Sequence, residues 1–155
     1  EAQMDRFFLR ISMGYPTIEQ EMDVLERYSG PAHPMDSVTP VCNGSDILQM
    51  QSYVKQIYCS PEVRSYVAGL AAATRQEPSL QLGLSTRGAI ALIHAAQACA
   101  VLSERDYIVP EDVQRMLMPV ATHRLVLSPE ARMKGMTADR LLHHVLSVVP
   151  VPVRL

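Results

Sequence analysis

Hydrophobic residues in the second half of the chain recur with a helical period. Over residues 86–104, Ala89, Leu92, Ile93, Ala96 and Ala100 follow the i, i+3, i+4, i+7 rule and define an apolar stripe. Ala91, Ala95 and Ala98 continue the other side with little bulk, which suits a helix packed on more than one side. This stretch is expected to be the central helix of a bundle, with Ser85 as its N-cap. Other helices announce themselves by their starts. Thr17-Ile18-Glu19-Gln20 reads as a capping box before a helix running to about Tyr28. Ser45-Asp46 opens a helix to about Ile57, and Ser60-Pro61-Glu62 opens another to about Arg75, with proline where no N–H is needed. Pro110-Glu111-Asp112 begins a helix over 110–122 with acids in its first turn, and Thr137 caps a last one through about Val148.

Period two occurs near the start. Phe7, Leu9, Ile11 and Met13 alternate with Phe8, Arg10 and Ser12, so Phe7–Met13 reads as a strand that Gly14-Tyr15-Pro16 stops. A lone strand needs partners, which are expected upstream of Glu1 or in another copy. Tyr107–Val109 and Val126-Leu127 read as short extended pieces, and Ser128–Ala131 as a turn or short helix. Residues 29–44, with Pro31, Pro34, Pro40, Gly30 and Gly44, read as a linker, and 76–84 as the loop into the central helix. The expected fold is therefore mainly α, a helical bundle preceded by a short strand.

Composition narrows the function. The 155 residues suffice for one domain, and 48% apolar content suffices for a core. A net charge of −2 gives no nucleic-acid footprint. Cys42, Cys59 and Cys99 are an odd count without a CxxC, which argues against a disulfide framework and a zinc ribbon and suggests a reducing, cytoplasmic compartment. No apolar run has the length of a membrane span. The chain opens without an initiator Met, so it is expected to be a piece of a longer protein.

Candidate chemistry is sparse. His143 and His144 are adjacent and point about 100° apart on a helix, which disfavours a shared metal. No nucleophile elbow and no G-x-x-x-x-G-K-[ST] loop occurs. The nine Met residues read as core filler, Cys99 as a buried small hydrophobe, and His94 as a hydrogen-bonded packing residue. Two arginines remain. Arg87 lies in the first turn of the central helix, where the dipole prefers an anion, so it makes sense if it reaches out to one such as a phosphate; the alternative is a solvated surface arginine. Arg6 follows Asp5 and precedes the alternating segment.

An ordered series of motifs then matters. Glu1-Ala2-Gln3-Met4-Asp5-Arg6-Phe7-Phe8-Leu9 through Gly14-Tyr15-Pro16 closely resembles the "PEAQLDRFLxxxxxGYP" segment of MoxR-family AAA+ ATPases. Leu84-Ser85-Thr86-Arg87 is similar to the family's "G-A-S-[PT]-R", with Leu84 where Ala or Pro is commoner. Arg105-Asp106-Tyr107-Ile108-Val109-Pro110-Glu111-Asp112-Val113 resembles "GRDYVTPDDV", with Val109 for the usual Thr cap. Pro119 to Leu125 resembles "PVLRHRL", and Thr137 to Pro152 resembles the family's tail. The resemblance covers nearly the whole chain.

The resemblance implies that residues 1–15 end an αβα nucleotide-binding core and residues 16–155 form its helical lid. It implies that Arg6 is an arginine finger reaching ATP in a neighbouring subunit, and that Arg87 is sensor 2 on the ATP of its own subunit. ATP and Mg²⁺ would belong to the parent protein. This piece alone, without Walker A, Walker B or sensor 1, would neither hydrolyse ATP nor hold it tightly. The implied partners are other copies in a ring, a hexamer by family habit, a von Willebrand factor A-domain protein, and client enzymes that receive assembly or metal and cofactor insertion. The alternative class is a stand-alone helical interaction module with no nucleotide role. A nucleic-acid-binding lid is disfavoured by the acidic balance.

Overall fold

The computed structural model describes residues 3–31 and 33–152, which are mainly helical. The chain folds as two compact units, Glu1–Arg10 with Gln51–Leu155, and Ile11–Met50.

The larger unit holds the core. Helix α3 (Pro61–Gln76) starts where the Ser60 hydroxyl accepts from the Val63 N–H and Pro61 occupies the first turn. It buries Val63, Tyr66, Val67, Leu70 and Ala71. Helix α4 (Thr86–Leu102) packs between α3 and α5 (Pro110–Ala121), its Ala91, Ala95, Ala96 and Ala100 allowing close backbone approach. Val113, Leu117 and Val120 of α5 fill the facing side. Helix α6 (Pro129–Met133) is one turn capped by Ser128, and α7 (Ala138–Val148), capped by Thr137, closes the core with Leu141, Leu142 and Val145. Leu70, Leu92, Leu117 and Leu142 are fully buried, so trimming any one to Ala costs about 2–5 kcal/mol. The buried Gln97 amide is partnered: it donates to the Ile57 carbonyl at 2.9 Å and its oxygen faces His94 Nδ1 at 2.9 Å.

The smaller unit contains α1 (Ile18–Ser29), a 3₁₀ turn (Pro34–Ser37) and the start of α2 (Gly44–Val54). The capping box that begins α1 is present: the Thr17 hydroxyl accepts from the Gln20 N–H at 3.3 Å, and the Gln20 side chain accepts from the Thr17 N–H at 3.0 Å. Helix α2 begins one residue before Ser45, because Asn43 Oδ1 accepts from the Ser45 and Asp46 N–H groups and the Asp46 carboxylate accepts from the Asn43 N–H. No described residue of this unit is buried.

Three expectations change. Phe7–Met13 is not a strand among the described residues, and Phe7, Ile11 and Met13 are all well exposed. An alternating segment becomes a strand only when another strand takes up its ladder groups. Here the Phe7 and Phe8 carbonyls accept from Arg124, and the Arg10 N–H donates to the Pro119 carbonyl at the open end of α5. The two strands lie elsewhere: β1 (Leu80–Leu82), inside the expected loop 76–84, pairs antiparallel with β2 (Val126–Leu127). The buried stripe of α4 is also rotated: Ala91 and Ala95 are inside, while Ala89 and Ile93 are only half-buried. Alanine carries too little hydrophobicity to mark a face by itself.

Candidate functional site

The site is built on Gly83–Gly88, a loop with little freedom. A Cβ on Gly83 would lie 2.6–2.7 Å from backbone atoms of Arg75 and Thr74, so the loop crosses the end of α3 at glycine distance. Leu84 is fully buried; its N–H donates to Thr74 Oγ1 at 2.9 Å and its carbonyl accepts from Arg75 Nε at 2.8 Å. Ser85 then caps α4, its hydroxyl accepting from the Gly88 N–H at 3.0 Å. Ser85 and Gly88 account for the cap, and the N–H groups of Thr86 and Arg87 have no partner among the described residues. Arg87, in this first turn, is exposed. The geometry presents a guanidinium and free backbone donors at a helix N-terminus, an arrangement suited to an anion.

The second arginine is brought close by its neighbour. Met4–Arg6 forms a 3₁₀ turn, and the Ser85 hydroxyl donates to the Asp5 carboxylate at 2.9 and 3.1 Å. Arg6, next to Asp5, is exposed. The turn carrying Arg6 is thus tied to the cap of the helix carrying Arg87, and neither guanidinium forms an ion pair among the described residues.

Arg124, for which no sequence pattern predicts a role, sits beneath both. It lies in the 3₁₀ turn Thr122–Arg124 that follows α5, and its side chain is 2% exposed. Its Nη2 donates to the Phe7 carbonyl at 2.5 Å and the Asp5 carbonyl at 3.3 Å, and its Nη1 donates to the Phe8 carbonyl at 3.2 Å and to the Val120 carbonyl. Its Nε stands 3.2 Å from Asp5 Oδ1, within ion-pair distance but without hydrogen-bond alignment. Burial pulls the guanidinium below its ordinary range while Asp5 opposes the shift, and an arginine remains charged throughout the physiological range. His123 Nε2 adds a contact of 2.9 Å to the Phe7 carbonyl. Gly88 leaves room for this: a Cβ there would meet Arg124 Cδ at 3.0 Å and Leu84 Cδ1 at 2.4 Å. The one signal in the sequence is the His123-Arg124 pair after a helix end, which lies inside a matched motif yet says nothing of burial.

The remaining candidates do not converge. His94 is exposed and bonded to Gln97, Cys99 is buried, and His143 and His144 are exposed. Among the described residues no cluster of His, Cys, Asp and Glu is placed to hold a metal ion, and no helix is long and apolar enough to cross a membrane.

Comparison with known proteins bears on the fold that carries these residues. Residues 72–145, which include the Gly83–Gly88 loop, α4, α5 and Arg124, match the model of the AAA lid domain. YeaC of Bacillus subtilis, an uncharacterised protein, is 40% identical over 99% of the chain, and the chaperone MoxR1 of Mycobacterium tuberculosis is 30% identical over 98%. The chain spans 48% and 42% of those two proteins, about half the length of the curated relatives it matches. A crystal structure of a Cytophaga hutchinsonii protein assigned as an ATPase superposes with a TM-score of 0.87 at 29% identity, covering 97% of this chain and 48% of that one. Residues 72–145 match an AAA lid, and over nearly its whole length the chain is similar to MoxR-named proteins and to that ATPase structure.

Proposed function

We propose that this chain supplies two arginines to ATP hydrolysis in a ring of MoxR-like AAA+ subunits. Arg87 serves as sensor 2 on the nucleotide of its own subunit, and Arg6 as the arginine finger on the nucleotide of a neighbour. The observation that carries the reading is the pair of exposed guanidiniums at one end of the lid, Arg87 at the N-terminus of α4 and Arg6 on the turn tied to that N-terminus through Asp5 and Ser85. A transferring phosphoryl group spreads charge over its oxygens, and a guanidinium offers planar donors to them.

These residues fit phosphate oxygens. They offer nothing to Mg²⁺, whose ligands would come with the nucleotide and from the part of the parent outside this chain. On this reading the chain alone neither hydrolyses ATP nor holds it tightly. Residues 1–15 would be the end of the nucleotide-binding core, fastened to the lid through Asp5, Phe7 and Phe8, and 16–155 would form the lid. The exposed Phe7, Ile11 and Met13, and the exposed Ile18, Met22 and Leu25 along α1, support further packing in the parent. The lid match over 72–145 favours this reading over a stand-alone interaction module.

The wider role follows the same line. The ring, proposed as a hexamer, would act in the cytoplasm as a chaperone for assembly or for metal and cofactor insertion into client enzymes, with a von Willebrand factor A-domain protein as partner. The chaperone name of the mycobacterial relative supports the first part. The test is Arg87→Ala in the full-length parent. Losing a charge-assisted bond to phosphate should weaken nucleotide affinity about ten- to a hundredfold; unchanged affinity and turnover would remove Arg87 from the site.

A further inference from the structure

We infer that Arg124 is a positioning residue for Arg6: it locks the Met4–Arg6 turn onto the lid, so that Arg6 and Arg87 move as one body. The inference rests on the assignment of these two arginines proposed above and adds the means by which they are coupled.

The turn has little to hold it by its own packing. Met4, Phe7 and Phe8 are 45%, 61% and 48% exposed, so hydrophobic burial contributes only part of its anchoring. Its attachment is polar and converges on Arg124. One buried guanidinium takes the carbonyls of Asp5, Phe7 and Phe8 from the turn and the Val120 carbonyl from the end of α5. These acceptors lie on both sides of Arg6 in sequence, or on the lid. The Asp5 carboxylate continues the link, facing Arg124 Nε at 3.2 Å and accepting from Ser85 Oγ at 2.9 Å, and the same hydroxyl caps the helix that carries Arg87. Arg10 closes the far end through its N–H on the Pro119 carbonyl at 2.9 Å. A planar cation with five donors can bridge so many carbonyls at once, and a lysine cannot.

The consequence is mechanical. A lid that shifts when its own nucleotide engages Arg87 carries Arg6 with it, and Arg6 serves the adjacent subunit. The occupancy of one site is thereby passed to the next through Ser85, Asp5 and Arg124.

The experiment uses the full-length parent with Arg124→Lys, Arg6→Ala and the double variant, read by amide exchange and by steady-state hydrolysis. Arg124→Lys should speed exchange in the peptide covering residues 3–10 by tenfold or more while α4 stays protected, and should lower kcat at least tenfold with nucleotide affinity kept within twofold. Added to Arg6→Ala, it should lower kcat no further. Unchanged protection of residues 3–10 would overturn the anchoring. Release of the turn with normal kcat, where Arg6→Ala is inactive, would overturn the positioning role. If Arg6→Ala itself hydrolyses normally, the finger assignment has failed, and the exchange result still decides whether Arg124 holds the turn. Loss of protection throughout α4 would make Arg124 a general stabilising residue, against the inference; Asp5→Asn, which leaves the Ser85 cap of α4 in place, then serves as the milder variant, expected to release the turn only in part.

Discussion

The Ser85 hydroxyl donates to the Asp5 carboxylate at 2.9 Å across eighty residues of sequence, while accepting from the Gly88 N–H at 3.0 Å. One side chain therefore serves as helix cap and as tether. The carboxylate it holds lies at the positive end of α4, where the helix dipole favours an anion and offsets part of the cost of Arg87 in the same turn. Asp5 also faces Arg124, so the arrangement balances one acid against a buried cation and leaves Arg6 and Arg87 exposed.

Gly83 and Gly69 give opposite expectations. A methyl at Gly83 would press on the backbone of Arg75 and Thr74, so Gly83→Ala should destabilise by about 1–3 kcal/mol. At Gly69, inside α3, the nearest atom is Val149 Cγ1 at 3.4 Å, ordinary contact. Gly69→Ala should be neutral or gain up to about 1 kcal/mol from helix propensity. Denaturant midpoints of the two variants check the pair, and equal effects would contradict the packing described.

Asp112 fastens the start of α5. It takes Arg105 through both oxygens at 2.7 and 2.8 Å and accepts from the Val109 N–H at 2.9 Å, the half of a capping box that the third helical residue supplies; the other half, a hydroxyl at the N-cap, is missing because Val109 has none. Asp112→Ala strands a charge and a backbone donor, and should cost about 2 kcal/mol. Arg105→Ala should cost less, since that side chain is 24% exposed. A double-mutant cycle by urea unfolding should show favourable coupling; additivity would mean that the pair contributes nothing.

Most helix starts were legible because capping is local. Thr17, Ser60, Ser85, Ser128 and Thr137 each accept from the backbone N–H three residues on, as their positions before apolar or acidic first turns imply. What escaped depends on distant partners. Leu80–Leu82 is a strand only because Val126-Leu127 lies beside it, and three residues carry no period of their own. Phe7–Met13 has the period of a strand, but its carbonyls go to side chains. Arg6 and Arg87 are exposed, which for Arg87 fits both a reach toward phosphate and a solvated surface arginine, whereas the burial of Arg124 depends on the fold.

Cys59 gives a pH signature. Burial pushes its thiol above the ordinary value of 9.0, with Arg64 partly opposing. The folded state thus favours the protonated thiol: the contribution is complete below the ordinary thiol pKa and is lost as pH rises through the elevated one. Wild-type stability should therefore fall more steeply above about pH 9 than that of Cys59→Ala. Parallel alkaline profiles would contradict the burial. Near neutral pH a thiol reagent should label exposed Cys42 before Cys59 and buried Cys99.

The most direct test of the two-arginine account is a mixing experiment with full-length subunits carrying either Arg6→Ala or Arg87→Ala. Each variant alone should be nearly inactive in hydrolysis. In mixed rings, an Arg6→Ala subunit keeps its own Arg87 and receives Arg6 from an Arg87→Ala neighbour. Random one-to-one assembly should then restore about a quarter of the sites. Recovery of hydrolysis on mixing is the expected result; mixed rings as inactive as either parent variant would contradict the division of roles between Arg6 and Arg87.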